Sequence, residues 1–242
     1  MSRSPLRLPL YLSAPHPCSY LPGRSANTLF ADPDAPMTMT DYGELLHYGF
    51  RRSGNLVYAP RCEGCKQCTS VRVPVRGFRP RRNHRRVLNA NRDVTWRSRP
   101  AAFDPAHYAL YKRYTAQRHP DGEMARASPA DYLGFLRADW SDTALLEFQL
   151  GDQVVAVAAT DRVEDGLSAV YTFFAPELSA RSLGTLAILT QIEAARDAGL
   201  PYLYLGYWIR DCRKMAYKAN FRPLELCVQG RWRMFGPNEA LP

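Results

Sequence analysis

The stretch between residues 144 and 205 limits the fold more than any other. Three apolar runs of strand length, residues 144–150, 154–160 and 167–174, are separated by the turn formers Gly151-Asp152 and Glu164-Asp165-Gly166. Runs so spaced read as consecutive hairpins. A helical stretch from about Ser182 to Ala198 follows and is closed by Gly199, the residue best suited to a helix C-terminus. The next apolar run, residues 201–205, is too short for a helix and rich in Tyr and Leu, so it reads as a buried strand. The expected class is α/β (α+β).

The flanks extend this pattern. Asp104-Pro105 starts a helix, Asp as cap and Pro at the first helical position, reaching about Gln117. Ser128-Pro129-Ala130-Asp131 opens a second, with Tyr132, Leu133, Phe135 and Leu136 inward. Residues 93–97 read as a strand with Val94 and Trp96 on one side, and residues 225–232 as a last strand. Upstream, residues 1–40 are rich in Pro and turn formers. A helix is expected after Thr40-Asp41, with Asp41 and Glu44 as a capping box and Leu45, Leu46 and Phe50 as its apolar side. Ser53-Gly54-Asn55 would end it, before a short strand at residues 56–58. Residues 71–75 alternate like a strand, and Pro74 places it at a sheet edge. The expected division is a cysteine-containing N-terminal domain (1–78), a basic connector (79–99) and a C-terminal domain (100–242).

With 242 residues the chain can bury one large core or two small ones. No apolar run approaches the roughly 20 residues that span a bilayer. Pro5 and Pro9 interrupt the start, and no small-residue cleavage site follows, so a cytoplasmic location is expected.

The net charge of +9 is concentrated in residues 72–99, which hold ten Arg, no Lys and one acid, Asp93. Its centre is Arg81-Arg82-Asn83-His84-Arg85-Arg86, with Arg79 just before it. Arginine clusters fork onto phosphate oxygens with little dependence on base sequence. A nucleic-acid contact is therefore expected here, against the plainer reading of a basic loop kept for solubility.

Cys62-x2-Cys65-x2-Cys68, with Cys18 upstream, is the tightest cysteine cluster. In a cytoplasmic chain this spacing argues against disulfides. Four thiolates suit tetrahedral zinc or an iron–sulfur cluster; small buried thiols in a tight turn are the alternative. Cys212 and Cys227 lie outside the cluster and read as core or strand residues, and His16 as a loop histidine.

Residues 206–218 mix four cations (Arg210, Arg213, Lys214, Lys218) with Tyr207, Trp208 and Tyr217 just after the strand at 201–205. Such a mixture suits phosphate, carboxylate and stacked bases, or covers the end of a sheet as a solvated loop. The stretch, G-Y-W-I-x-x-C-x-K-M-x-Y-K, resembles the signature of the aminoacyl-tRNA–protein transferases, which add an amino acid to protein N-termini. Further blocks resemble the same family: Cys18 to Arg24, Tyr58 to Cys62, Leu110 to Tyr114 with His119, and Tyr171 to Phe174 followed by Leu178 and Arg181-Ser182-Leu183-Gly184. Together they run from about residue 16 to 232.

The resemblance implies a Gcn5-type N-acetyltransferase-like fold for the C-terminal domain, which the order of elements matches. It implies tRNA as a partner, and so assigns Arg79, Arg81, Arg82, Arg85 and Arg86 to tRNA. Short length and the three-cysteine form resemble the bacterial branch, which moves leucine from leucyl-tRNA, the co-substrate, onto proteins starting with Asp or Glu and marks them for degradation. The ester is already activated, so no cofactor is required for the transfer. By resemblance Lys214, His119, Arg181 and Arg24, then Lys218, are the candidates to bind the acidic substrate, and Tyr171 and Tyr207 to hydrogen-bond the ester or the amine. His119 would otherwise cap its helix, Arg181 would mark a plain strand-to-helix turn, and either Tyr would be a core residue. Related eukaryotic enzymes, whose first site has Cys-x2-Cys, link the cysteine region to zinc or iron–sulfur binding; here Leu21 replaces that second Cys. Arginyl transfer, a non-catalytic zinc-containing RNA-binding module and a coenzyme A-dependent acetyltransferase are the alternatives. Apolar walls in the donor pocket would favour leucine, and a buried acid arginine.

Overall fold

The structure, a computed structural model, describes residues 8–118 and 122–242. The N-terminal segment, expected as loops up to residue 40, contains short strands. These are β1 (Leu10–Leu12), β2 (His16–Pro17), β3 (Ser25–Ala26) and β4 (Thr28–Ala31). They are followed by α1 (Met39–His47) and the hairpin β5 (Arg51–Ser53) and β6 (Leu56–Pro60). β1, β4, β6 and β5 form one antiparallel sheet, and β2 pairs with β3. The cap of α1 is Thr38, whose hydroxyl accepts from the Asp41 N–H at 3.2 Å while Asp41 Oδ2 accepts from the Thr38 N–H at 3.0 Å. The capping box thus begins three residues before the expected one, because Asp41 serves as its third-position partner. The helix also ends earlier, at His47, and residues 51–53 are extended.

The larger sheet has eight strands in the order β14-β13-β7-β12-β11-β10-β9-β8. In chain order its elements are β7 (Thr69–Pro74), α2 (Arg82–Ala90), β8 (Val94–Pro100), α3 (Pro105–Arg118), α4 (Glu123–Arg126) and α5 (Pro129–Leu136). After these come β9 (Thr143–Leu150), β10 (Gln153–Val163), β11 (Gly166–Phe174), α6 (Leu183–Asp197), β12 (Tyr202–Trp208), α7 (Arg213–Ala216), β13 (Leu224–Val228) and β14 (Arg231–Phe235). β9, β10 and β11 are the expected antiparallel meander, and β12 returns parallel to β11 after α6. With α3 and α5 before them, this is the Gcn5-type order expected from the sequence.

Three expectations change. β7 is interior, between β13 and β12, and not at an edge. Its neighbour β13 pairs only with Val71 and Arg72, so Pro74, the last residue of β7, lies beyond that ladder and its missing donor costs nothing there. The expected division at residue 78 therefore does not coincide with a division of the sheets. The final strand is a hairpin, because Gln229 and Gly230, at φ 52° and 75°, make a turn of the kind that joins two strands tightly. The basic connector is largely α2, docked by His84, whose ring stacks on Phe221 at 5.1 Å and 12° and packs beside Phe78.

Successive residues of a strand face opposite sides of its sheet. In β10, Thr160 accepts a hydrogen bond from Gln191 of α6 at 2.6 Å. Its neighbour Asp161 pairs with Arg52 of the N-terminal sheet. β10 is thus covered on both faces, and Val155 to Ala159 are all buried. Among the described residues no helix is long and apolar enough to cross a membrane.

Candidate active site

β11 and β12 begin side by side and then part. They pair only at Gly166 with Tyr202, Leu167 with Leu203 and Ser168 with Tyr204. Beyond that, β11 stays on β10 and β12 on β7, leaving a V between them. On the β12 side the register slips between Tyr204 and Gly206, and Gly206 takes φ 82°, where an L side chain is strained. This is a bulge, a common device for re-aiming side chains beside functional sites.

The N-terminal sheet places Arg51 against this V. Arg51 is buried and donates to the carbonyl of Ala169 on β11 at 2.8 Å, where the strands have already separated. Its position is held by Arg52, which grips Asp161, Thr143 and the carbonyl of Leu136. On the β12 side, Lys218 is 6% exposed and donates to the carbonyl of Tyr207 at 2.6 Å. Burial, and then the charge of Arg51, bring the Lys218 amine down to about 7. A Cβ added to Gly206 would stand 3.6 Å from Lys218 Nζ and 3.7 Å from Arg51 Nε. Two cations therefore meet over the one residue that leaves room between them. Arg51 carried no distinguishing signal in the sequence; a buried arginine and a solvated one are spelled alike.

Aromatic rings gather on the β11 side. Tyr171 lies 4.9 Å from Phe135 and within 6.4 Å of Tyr111 and Tyr114, and Tyr114 packs on Phe174. The Tyr171 hydroxyl is buried without a hydrogen-bond partner, and burial raises its pKa, so it remains a proton donor. Arg118 lies within electrostatic reach of Tyr114 and Tyr171.

Tyr207 has a different role from the one expected. Its hydroxyl donates to the carbonyl of Gly49 at 2.9 Å, with the Tyr58 carbonyl at 3.2 Å. With its one proton engaged inside the protein, it ties β12 to the N-terminal sheet. Arg181 is also engaged elsewhere, forked onto Asp93 at 2.7 and 2.9 Å and bonded to the carbonyl of Ala90. Gly184 beside it serves packing, since a Cβ there would meet the Phe174 ring at 3.1 Å. Lys214 is exposed on α7 and Arg24 is exposed beside Cys65, its guanidinium 3.7 Å from the sulfur. His119 lies outside the described residues.

The basic segment divides into paired and unpaired arginines. Arg72 is buried against Glu225 and stacked between Tyr202 and Trp232, and Arg97 pairs with Glu147. Arg79 and Arg81 bond backbone carbonyls. Arg82, Arg85 and Arg86 are exposed on α2, and no carboxylate pairs with them among the described residues. Near that helix, Arg76, Arg79 and Arg196 line a cavity of about 410 Å³ floored by Phe78 and Pro80.

Cys18 and Cys68 pack around Leu21, Ile209 and Cys212, just past the end of β12. All six cysteines are free thiols. Burial, then the neighbours Cys62, Cys18, Cys65 and Cys212, push the Cys68 thiol up to about 12. The donor set thus suits a thiophilic ion in kind. Among the described residues no three of these sulfurs all lie within 4.8 Å of one another, so an ion would have to draw them together. Among the described residues, the group of three or more His, Cys, Asp or Glu whose ligand atoms all lie within 4.8 Å is Asp104, His107 and Glu147. That group is held by internal hydrogen bonds: His107 Nε2 contacts Glu147 at 2.6 Å and Asp104 caps α3.

Comparison with known proteins bears on this arrangement. The family model for the N terminus of arginine-tRNA-protein transferase matches residues 16–86, and that for its C terminus matches residues 106–228. An aspartate/glutamate leucyltransferase of Alkalilimnicola ehrlichii is 52% identical over 93% of this chain and 95% of its own length. The protein of that name from Nitrosococcus oceani is 50% identical over 92% and 94%. Among solved structures, the L-PGS of Bacillus licheniformis is 11% identical with a TM-score of 0.47, covering 70% of this chain and 50% of that one. The matches take in both the N-terminal sheet that carries Arg51 and the strands that form the V, and the chain belongs to the aminoacyl-tRNA–protein transferase family, alongside the aspartate/glutamate leucyltransferases.

Proposed function

We propose that this transferase moves leucine from leucyl-tRNA, its co-substrate, to the α-amine of proteins that begin with Asp or Glu, marking them for degradation. The observation that carries this reading is the composition of the V. Cations, Arg51 and Lys218, stand on the Gly206 side, and an aromatic wall with Arg118 at its edge stands on the other. An acidic acceptor suits the first, and an uncharged donor side chain suits the second better than a cationic one.

In the reaction the amine nitrogen forms a bond to the ester carbon and the bond to the tRNA ribose oxygen breaks. The amine's proton leaves to solvent or to that oxygen. An N-terminal amine has a pKa of about 7.7–8.0, so roughly a tenth is free base near pH 7 and no strong base is needed. Rate would come from orientation and from donors aimed at the tetrahedral oxyanion. The buried, unpartnered hydroxyl of Tyr171 supports giving it that second task. Arg82, Arg85 and Arg86 would hold tRNA phosphates. Zinc or an iron–sulfur cluster at Cys18, Cys62, Cys65 and Cys68 would be structural, drawing the turn at residues 62–68 onto Cys18.

Incubation with radiolabelled leucyl-tRNA, arginyl-tRNA or acetyl-coenzyme A and peptides starting with Asp, Glu or Ala tests the reading. Label is expected to pass from leucyl-tRNA to the Asp and Glu peptides. Transfer from arginyl-tRNA alone would make the arginyl reading correct, and no transfer at all would favour a binding module.

A further inference from the structure

Three arginines converge on the cavity beside Phe78 with little negative charge among them. Arg79 donates to the carbonyl of Phe78 at 2.8 Å, and Arg196, near the end of α6, donates to the same oxygen at 3.2 Å. Further bonds, from Arg79 to the Arg76 carbonyl and from Arg196 to the Val75 carbonyl, fix both guanidiniums. Like charges drawn onto one carbonyl repel, and the carbonyl has no net charge to offset them. Arg76 completes the lining; it is exposed, and its side chain meets no acceptor among the described residues. Among those residues Glu193, on Arg196, is the one carboxylate paired with any of the three. Three cations less one carboxylate leave a charge of +2 around a recess of about 410 Å³. The cavity stands at the start of β12, where Val75 donates to the Pro201 carbonyl, and the V opens toward the other end of that strand. Between the two runs α2. His84 in its first turn packs beside Phe78, and Asn91 past its end donates to the carbonyl of Arg181, just before α6. The exposed arginines of α2 therefore lead from the cavity toward the mouth of the V.

We propose that this cavity, lined by Arg76, Arg79 and Arg196, holds the 5′-terminal phosphate of the tRNA. This rests on the transfer reading above. A phosphate monoester carries close to two negative charges at pH 7 and three strong acceptor oxygens. It matches the excess charge of the recess and projects from the end of its strand. An internal diester carries one charge and is flanked by sugars, so it suits the open face of α2. In a tRNA the 5′ end is paired to the strand whose unpaired last nucleotides carry the amino acid. The cavity and the V are about 20 Å apart along the seven residues of β12, a gap that the unpaired nucleotides span with α2 along their path.

The first test alters the RNA and leaves the protein as it is. Leucyl-tRNA treated with phosphatase, ending in a 5′ hydroxyl, is expected to bind roughly ten- to a hundredfold more weakly than the 5′-phosphorylated form. Its slope of log binding constant against log salt should be smaller by about 1. In the double variant Arg76→Gln, Arg79→Gln the two RNAs should bind alike. Arg82→Ala, on the open face of α2, should weaken both and keep their ratio. Equal binding of the two RNAs by the unaltered protein would overturn the proposal, as would a ratio that survives in the double variant. A free nucleotide is the rival source of phosphate. ATP bound by the unaltered protein and lost in the double variant, with tRNA binding indifferent to its 5′ end, would give the cavity to the nucleotide instead. Leucine transfer without dependence on the 5′ phosphate removes the cavity site alone. Binding that depends on the 5′ phosphate, without transfer, leaves the site standing and removes the transfer reading.

Discussion

Arg52 and Asp161 form an ion pair across 109 residues of sequence, Nε to Oδ2 at 2.6 Å, with neither side chain exposed. The pair clamps the N-terminal sheet onto β10, and the next residue along, Arg51, reaches the V only because that clamp is closed. Removing one partner would strand a buried charge. Asp161→Ala is expected to lose about 3–5 kcal/mol of stability, read from the shift in a urea denaturation midpoint.

The two site tyrosines should separate by what they affect. Tyr171→Phe removes a buried hydroxyl that has no partner, so stability should hold or rise, while kcat falls roughly ten- to a hundredfold if the hydroxyl steadies the oxyanion. Tyr207→Phe removes a structural hydrogen bond, and a loss of about 1–3 kcal/mol is expected. Denaturation curves and steady-state kinetics on both variants check the contrast.

Replacing Arg82, Arg85 and Arg86 together by Ala is expected to raise the KM for leucyl-tRNA. It should also flatten the slope of log binding constant against log salt by about 2 to 3, as fewer counterions are released. Arg181→Ala, which breaks the pair with Asp93, should leave that slope unchanged. Filter binding between low and moderate salt would measure both.

Lys218 ties stability to pH. Its amine titrates at about 7 in the folded chain and at roughly 10.4 when unfolded. Between those values the unfolded state holds the extra proton, so stability from this group rises with pH; below about 7 both states are charged and the full penalty of burial applies. The difference in stability between Lys218→Met and the unaltered protein should therefore move in the variant's favour from pH 10 to pH 6, by on the order of 4 kcal/mol, on top of a pH-independent loss from the Tyr207 carbonyl left without its donor. Thermal melts at the two pH values decide it.

The cysteines are tested by elemental analysis of protein purified without oxygen. Zinc or iron is expected, and Cys68→Ser, at a thiol within electrostatic reach of four other cysteines, should lower metal content and folded yield. Fully active protein free of both metals would remove the metal from the account.

Local signals were legible in the chain. The meander, the helices capped by Asp104 and Ser128 and the helix closed by Gly199 follow from turn residues, caps and run lengths, which act over a few positions. The aromatic-basic stretch at residues 206–218 likewise drew attention to Lys218. What the sequence could not specify was which of its many arginines would be buried. Arg51, Arg52 and Arg72 look like any basic residue until strands more than 100 residues away supply Ala169, Asp161 and Glu225. The same holds for Pro74, which local rules put at an edge and the fold put inside the sheet. A side chain's neighbour across a sheet or between two sheets is chosen by the packing of the whole core. Only tertiary structure, therefore, decided that Lys218 rather than Lys214 would face inward, and that Gly206 would leave a gap between two cations.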